Sequence, residues 1–142
     1  MLSLSCKASI KAVVFLGSKL DTDQKFSIRE IAKFIDENEH TVAKLLQKLV
    51  KENIINSAKG PNGGFYITAK QKNLHVISIV NTIDGEQVFD ECGLGLLKCS
   101  EFRPCPIHED FKVVREKFKK ICVDKRICDL YEGVNSGLSY LT

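Results

Sequence analysis

Three cysteines and a histidine stand together in one stretch of the chain, "ECGLGLLKCSEFRPCPIH", which spans residues 91–108. Six residues separate Cys92 from Cys99, and five separate Cys99 from Cys105. Thiolate sulfur is a soft ligand that suits zinc and iron–sulfur clusters. Structural zinc sites usually present tight Cys-x-x-Cys pairs, which this stretch lacks. The wide spacing therefore favours an iron–sulfur cluster, a group commonly held by four side chains.

The fourth ligand position has several candidates. His108 is the nearest, three residues after Cys105. It is expected on the first turn of a long helix, where the positive helix terminus also favours an anionic cluster. The other candidates are Cys6, a carboxylate such as Glu91 or Glu109, and a residue from a partner subunit. The alternative is that the three cysteines are free thiols that hold no cofactor.

Length and composition place the chain among globular proteins with a real core. It has 142 residues, of which 44% are hydrophobic and 27% charged, enough for one domain or a small domain with an appendage. No apolar run reaches the roughly 18 residues of a membrane span. The apolar N-terminal stretch is interrupted by Lys7 and Lys11, which predicts a helix and not a signal peptide, and hence a cytoplasmic protein.

Cytosolic thiols stay reduced, so clustered cysteines in such a protein favour metal or redox chemistry over a disulfide framework. The isolated Cys6, Cys122 and Cys128 are typical of small buried hydrophobic side chains.

The net charge of +3 is unevenly distributed along the chain. Residues 1–84 hold 12 Lys/Arg and 8 Asp/Glu, whereas residues 85–142 hold 9 and 10. The positive first half suggests a polyanionic partner.

The first half has the pattern of three helices followed by a hairpin. Residues 6–18 predict a first helix, and Ser27 with Glu30 has the spacing of a capping box at the start of a second. A short polar break leads to a third amphipathic helix, and two amphipathic helices joined this way are typical of a helix-turn-helix. Residues 54–58 and 65–68 predict two strands joined by a glycine-rich turn. This order is that of a winged helix-turn-helix.

The second helix of a helix-turn-helix enters the major groove of DNA, and its first residues meet base edges. Lysines further along that helix can meet phosphates, and a glycine-rich wing tip lets the backbone approach DNA closely. The predicted DNA-binding residues are Ser27, Glu39, His40, Thr41, Lys44, Lys48, Lys51, Lys59, Pro61, Asn62, Gly63 and Gly64. A solvated helix face and an ordinary hairpin are the alternative for each feature taken alone.

After a fourth helix that ends at Gly85, the cysteine loop leads to a long helix that is predicted to start at Pro106. Apolar residues recur along that helix at alternating intervals of four and three residues, which is the pattern of a coiled-coil seam. The seam comprises Ile107, Phe111, Val114, Phe118 and Ile121. Asp124 is expected to cap a last helix that reaches Leu138.

These patterns divide the chain into a winged helix-turn-helix domain (1–84), a cysteine loop (85–105) and a dimerisation helix with a C-terminal helix that packs back on the domain (106–142). We expect a mainly α fold with a small β-hairpin wing. There is no nucleophile–base constellation, and "GPNGGF" lacks the Gly-Lys-Ser/Thr ending of a phosphate-binding loop, so no enzyme activity and no small-molecule substrate are expected.

The sequence resembles the Rrf-two family of bacterial winged-helix regulators, which includes the iron–sulfur cluster regulator and the nitric-oxide-sensing repressor. The resemblance lies in the helix pair of residues 27–53, the wing "KGPNGGF", the "IDG" that ends the fourth helix, and the three cysteines ahead of a long helix. It implies a homodimer that pairs through the long helix and binds palindromic promoter DNA. It also implies a [2Fe–2S] or [4Fe–4S] cluster on Cys92, Cys99 and Cys105, which an aerobically purified sample can lack.

Two positions distinguish branches of the family. In the cluster-regulator branch the fourth ligand is a histidine three residues after the third cysteine, which His108 matches. The nitric-oxide branch uses an aspartate near the N-terminus, where this chain has Lys7. Some relatives read a base with a glutamate where this chain has Ala43, so the target sequence does not carry over.

The resemblance thus implies a transcription regulator that senses redox, nitric oxide or iron–sulfur status through its cluster. In this hypothesis the cysteine loop is ordered when the cluster is bound, and its release changes the spacing of the two recognition helices. A regulator of the same fold that switches by thiol oxidation is the first alternative. An iron–sulfur carrier or an enzyme-binding module that does not bind DNA is the second.

Overall fold

The computed structural model describes residues 1–142 and contains six α-helices and one antiparallel two-stranded hairpin. The helices are α1 (Leu4–Ser18), α2 (Ile28–Ile35), α3 (Glu39–Lys51), α4 (Val76–Ile83), α5 (His108–Asp124) and α6 (Ile127–Asn135), and the strands are β1 (Asn56–Ala58) and β2 (Gly64–Tyr66). The predicted fold class, mainly α with a small β wing, is confirmed. None of the helices combines the length and the apolar composition needed to cross a membrane.

Helix α1 forms the centre of the main core. Its buried residues pack with those of α2, α3, the hairpin and α6, so the C-terminal helix lies in the same core as the helix-turn-helix. Ile127 and Tyr131 of α6 are both buried there, and a Cβ on Gly17 of α1 would collide with the Tyr131 ring. The close approach of α1 and α6 therefore requires glycine at position 17.

The capping box predicted at the start of α2 is confirmed. The Ser27 hydroxyl accepts a hydrogen bond from the Glu30 amide (3.2 Å), and the Glu30 carboxylate accepts one from the Ser27 amide (2.7 Å). Asp36 ends α2 in a left-handed conformation (φ 56°), and the side chain of Asn38 then accepts hydrogen bonds from the first amides of α3. These local signals produce the short turn between the two helices.

The hairpin is shorter than its sequence suggests. The amides of Ile54 and Ile55 donate to the Leu49 carbonyl, so these two buried residues finish the turn after α3 and do not enter the strand. Residues 56–58 pair antiparallel with residues 64–66. Ile67 and Thr68, predicted to extend the second strand, lie beyond it.

A short bridge ties the hairpin to the residue that precedes the capping box. Phe26 donates its amide to the Phe65 carbonyl (3.0 Å), and Phe65 donates back to Phe26 (2.8 Å). Gly64 (φ 140°) lies against this bridge, where a Cβ would come within 2.7 Å of the Phe26 carbonyl oxygen. The Phe26 ring in turn packs edge-on against Phe15 of α1, with 4.8 Å between ring centroids.

A second, smaller apolar cluster joins α1, α4 and α5. Its buried members are Cys6, Val76, Val80, Val88, Phe89 and Cys122. Phe118 of α5 packs against this cluster, with its ring centroid 5.6 Å from that of Phe89. The cluster fixes α5 against α4 and against the short helical turn of residues 86–89 that opens the cysteine loop.

The two C-terminal helices begin later than predicted. Pro106 lies in a turn in which the His108 amide donates to the Cys105 carbonyl (3.0 Å), and α5 starts at His108. The fixed φ of proline suits a tight turn as well as a helix start. Asp124 is the last residue of α5, and the Asp129 side chain instead accepts the Arg126 amide (2.8 Å) at the start of α6. The predicted extent of α6 was wrong: Leu138 lies beyond its end and is exposed.

Candidate functional site

The three loop cysteines converge although the first and the last are 13 positions apart in the sequence. The Sγ atoms of Cys92, Cys99 and Cys105 all lie within 4.8 Å of one another, and those of Cys92 and Cys105 are 3.5 Å apart. All three side chains are half-buried and none is in a disulfide. The site is built on the irregular segment between the turn of residues 86–89 and α5.

His108 lies beside this group of thiols. It is the first residue of α5, is 9% exposed, and its Nδ1 atom is 3.2 Å from the Sγ atom of Cys99. The turn that brings it there is closed by the hydrogen bond between the His108 amide and the Cys105 carbonyl. The sequence therefore places an imidazole nitrogen and three thiols at the N-terminal end of one helix.

Backbone dipoles favour negative charge at one of the thiols. The amides of Leu96 and Leu94 point at Cys92 and lower the pKa of its thiol to about 7, and the Leu94 amide lies 3.4 Å from the sulfur. At Cys105 partial burial is the larger effect, and it raises the pKa of that thiol. Cys92 is thus the thiol of this pair that ionises more readily.

The residues at this site fit an iron–sulfur cluster in the chemistry of their donor set. Three thiols converge, and an imidazole lies beside one of them; both are ligand types that iron accepts in such clusters. The segment that links Cys92 to Cys99 is exposed, and Leu94, Leu96 and Leu97 all face solvent. A cavity of about 520 Å³ adjoins the thiols and is lined by residues 95–99 and 103–106.

The other predicted candidates for the fourth position lie elsewhere. Cys6 is fully buried in the second apolar cluster, where burial and the nearby Asp84 carboxylate raise the pKa of its thiol to about 12. Glu91 and Glu109 are exposed, and neither joins the group of converging donor atoms. Within one chain, His108 is the candidate that the structure brings closest to a loop cysteine.

Most of the residues predicted to bind DNA are exposed. Helix α3 buries Val42, Leu45, Leu46 and Leu49 and leaves its polar face in solvent. The exposed residues from the predicted set are Ser27, Glu39, His40, Thr41, Lys44, Lys48, Lys51, Lys59, Pro61 and Asn62, and Gly63 and Gly64 are half-buried. A Cβ on Gly63 would collide with the Ala58 carbonyl, so glycine there keeps the wing turn narrow.

Of the five residues in the predicted seam, two pack within the chain and three are exposed. Phe118 packs into the second apolar cluster, and the ring of Phe111 packs against Gly93 in the cysteine loop. Ile107, Val114 and Ile121 remain exposed, with Val114 47% and Ile121 57% accessible. One helix thus contacts the cysteine loop with one flank and presents an apolar surface with another.

Sequence reasoning missed two arginines near these surfaces. Arg29 is highly exposed, and its Nε atom lies 3.9 Å from a carboxylate oxygen of Glu39 at the start of α3. The only sequence signal for this position is that Arg29 follows the Ser27 cap by two residues. Arg115 donates to the carbonyl oxygens of Asp90 and Glu91, immediately before Cys92. No pattern in the sequence indicates this second contact, because it joins residues about 25 positions apart.

Proteins of similar sequence are transcription regulators by name. The chain is 27% identical over 113 residues to a protein of Aquifex aeolicus (strain VF5) that is named as an HTH-type transcriptional regulator, covering 78% of each chain. It is 26% identical over 84 residues to the HTH-type transcriptional regulator NsrR of Geobacillus kaustophilus (strain HTA426), covering 59% of this chain and 56% of NsrR.

Solved structures share the fold. CymR (YrzC), the global cysteine regulator of B. subtilis, superposes with a TM-score of 0.73 at 17% identity, covering 93% of this chain and 96% of CymR. IscR of T. potens superposes with a TM-score of 0.72 at 14% identity, covering 99% of this chain and 92% of IscR. Residues 2–133 match the Rrf2 family, described as iron-dependent transcriptional regulators. The chain therefore belongs to the Rrf2 family of transcriptional regulators.

Proposed function

We propose that this protein is a homodimeric transcription regulator that binds palindromic promoter DNA and controls that binding through an iron–sulfur cluster in its cysteine loop. Cys92, Cys99 and Cys105 would hold the cluster, with His108 as the fourth ligand. The observation that carries the proposal is the convergence of the three thiols beside His108, the first residue of α5. Three thiols lie within 4.8 Å of one another, and the imidazole is 3.2 Å from one of them.

When bound, such a cluster supplies a redox-active anionic group whose oxidation or loss reports on oxidants, nitric oxide or iron supply. The protein's own residues connect this site to the rest of the molecule. His108 belongs both to the donor group and to α5, and α5 also packs against the loop through Phe111. A change in the loop therefore acts directly on the position of this helix.

DNA binding is assigned to α3 and the wing. The exposed side chains at the start of α3 have the length and polarity to reach base edges in the major groove. Lys48, Lys51 and Lys59 supply positive charge for the flanking phosphates. The exposed backbone at the wing tip allows a close approach to the DNA.

The dimer is assigned to the exposed apolar surface of α5. Ile107, Val114 and Ile121 face solvent in a single chain. Pairing two copies of α5 would bury this surface and give the two recognition helices a fixed separation. Operator half-sites lie about 34 Å apart for each turn of DNA, so a small shift of α5 would weaken specific binding.

One observation favours the cluster-free alternative, a thiol switch. The sulfur atoms of Cys92 and Cys105 are 3.5 Å apart, and the pKa of Cys92 is lowered to about 7. A peroxide would oxidise the Cys92 thiolate to a sulfenic acid and be reduced to water or an alcohol. The Cys105 thiol would then attack the sulfenic sulfur of Cys92. This step forms the disulfide and releases the sulfenic oxygen as water. Both hypotheses place the signal in the same loop.

Anaerobic purification followed by iron and acid-labile sulfide analysis and a visible absorption spectrum tests the proposal. The comparison is between wild type, Cys92→Ala and Cys128→Ala, since Cys128 is a half-buried cysteine outside the loop. We expect iron and sulfide in wild type and in Cys128→Ala, and their loss in Cys92→Ala. DNA affinity at fixed salt is then measured with and without the cluster.

Iron-free and sulfide-free wild type under these conditions would remove the cluster from the proposal and leave the thiol switch. Equal promoter affinity of the loaded and unloaded dimers would contradict the regulatory role. Bound iron without salt-dependent DNA affinity would instead indicate a carrier.

A further inference from the structure

We infer that Arg115 is a positioning residue for Cys92, and that it holds the first half of the cysteine loop in the shape that ligand binding requires. An effect of Arg115 on iron retention rests on the proposed function. Its effect on the shape of the loop rests on contacts within the chain and can be tested in protein that holds no cluster.

Arg115 contacts the backbone immediately before Cys92. One of its guanidinium nitrogens, Nη1, donates to the Asp90 carbonyl (2.9 Å) and to the Glu91 carbonyl (2.6 Å). Hydrogen bonds from a charged donor are stronger than those between neutral groups. A planar guanidinium also holds its direction better than a flexible ammonium. Arg115 therefore fixes two consecutive peptide groups whose orientation determines where the next side chain points.

A packing contact holds the residue that follows Cys92. A Cβ on Gly93 would lie 2.7 Å from Cγ of Phe111, so the loop backbone rests directly on that ring. Arg115 itself lies over the same ring, 5.8 Å from its centroid. Cys92 is thus held on both sides by two residues that lie one turn apart on α5.

The second half of the loop is attached separately. Lys112 forms a 2.7 Å ion pair with Glu101, which lies between Cys99 and Cys105. Cys99 itself is close to His108. Loss of the Arg115 side chain should therefore loosen residues 90–97 and leave the remainder of the loop in place.

Removal of a group that orients a metal ligand typically lowers the metal affinity 10- to 100-fold. Arg115→Ala should accordingly shorten the half-life of the loaded protein in the presence of an iron chelator by about tenfold or more. The same variant, with no iron bound, should show faster hydrogen exchange at the amides of residues 90–97. The Leu94 amide, which points at Cys92, is the most informative of these.

The matched control is Lys119→Ala. Lys119 lies one turn further along α5, carries the same charge and contacts the Phe89 ring (5.7 Å), but it makes no hydrogen bond to the loop. Arg115→Lys keeps the positive charge but replaces the planar guanidinium with a flexible ammonium, so it separates the effect of charge from that of geometry. We expect Lys119→Ala to behave as wild type and Arg115→Lys to fall between wild type and Arg115→Ala.

Gly93→Ala provides a second route to the same disturbance. The added methyl group would displace the loop from Phe111 while leaving Arg115 unchanged, and we expect faster exchange in the same segment and faster iron loss. If Arg115→Ala fails to fold, Arg115→Lys carries the test, and the inference is contradicted if its exchange in residues 90–97 and its iron loss match those of Lys119→Ala.

The outcomes separate the inference from the proposed function. If wild type binds no iron but Arg115→Ala still accelerates exchange in residues 90–97, the cluster proposal fails and the positioning role stands. If wild type binds iron and sulfide while Arg115→Ala matches Lys119→Ala in both exchange and iron loss, the positioning role is wrong and the cluster proposal stands.

Discussion

The Nδ1 atom of His108 lies 3.2 Å from the Sγ atom of Cys99, although the two residues are nine positions apart in the sequence. The contact joins the middle of the cysteine loop to the first residue of α5. Because His108 is almost fully buried, its ring has little freedom to turn away from the thiols. This relationship gives the first prediction.

Replacement of His108 should impair iron retention without affecting the DNA-binding surface. We expect His108→Ala to lose iron to a chelator at least about tenfold faster than wild type, and His108→Cys, which restores a ligand, to recover part of this loss. The control is His40→Ala, which removes an exposed histidine from α3 and should keep the iron while weakening promoter binding. Equal iron retention in His108→Ala and wild type would exclude His108 as a ligand.

Charge on the exposed face of α5 should prevent dimerisation. Val114→Asp and Ile121→Asp place a carboxylate in the proposed interface, where burial of an unpaired charge is costly. We expect each to raise the dimer dissociation constant by at least about tenfold, measured by analytical ultracentrifugation. Val123→Asp is the matched control, since Val123 is 43% exposed on a different face of α5. A dimer that tolerates Ile121→Asp as well as Val123→Asp would place the interface elsewhere.

Lysines on α3 and the wing should contribute to the salt dependence of DNA binding. Each phosphate contact that is lost lowers the slope of log affinity against log salt concentration by about 0.9. We expect this change for Lys48→Ala and for Lys59→Ala, with a similar loss of affinity on specific and unrelated DNA. Lys120→Ala, which removes the same charge from α5, should leave the slope unchanged. An unchanged slope in the first two variants would argue against phosphate contacts at these positions.

Alkaline pH should destabilise the fold partly through Cys6. Burial raises the pKa of this thiol from 9.0 to about 12, so between these values the folded chain keeps a proton that the unfolded chain has lost. The free energy of unfolding therefore falls as pH rises through this range. Cys6→Ala should be less stable by about 1 kcal/mol at pH 7, because a buried group is lost, but should depend less on pH above 9. Urea unfolding at several pH values measures the free energy of unfolding and its dependence on pH. If this free energy depended on pH equally in wild type and in Cys6→Ala, the raised pKa would not belong to Cys6.

Local signals were sufficient to predict most of the winged unit. The capping box at Ser27, the polar break before α3 and the glycine-rich turn of the wing depend on residues close in sequence, and each produces the expected element. The convergence of Cys92, Cys99 and Cys105 was also anticipated from their spacing. In an extended chain neighbouring cysteines of this loop could lie about 20 Å apart. Hydrogen-bonded turns, such as those of the Gly95 amide to Cys92 and of the Cys99 amide to Leu96, fold the loop back and bring the thiols together.

The sequence could not distinguish contacts within the chain from contacts between chains. Phe111 and Phe118 have the spacing of a coiled-coil seam, yet both rings pack within their own chain. Apolar periodicity shows only that a helix buries a face, and not which neighbour covers it. The same limitation applies to Arg115, whose carbonyl partners become apparent only once the loop is folded against α5.

The bridge between Phe26 and Phe65 has a consequence for how the operator is recognised. Because the hairpin is hydrogen-bonded to the residue before α2, we expect the wing and α3 to keep one arrangement when the protein changes state. In the proposed dimer, a signal in the cysteine loop would then alter the distance and angle between the two winged units, while each keeps its shape. Loaded and unloaded dimers should accordingly prefer the same half-site sequence and differ in the spacer length that they tolerate. The proposed function therefore predicts that a promoter distinguishes the two states by the number of base pairs between its half-sites.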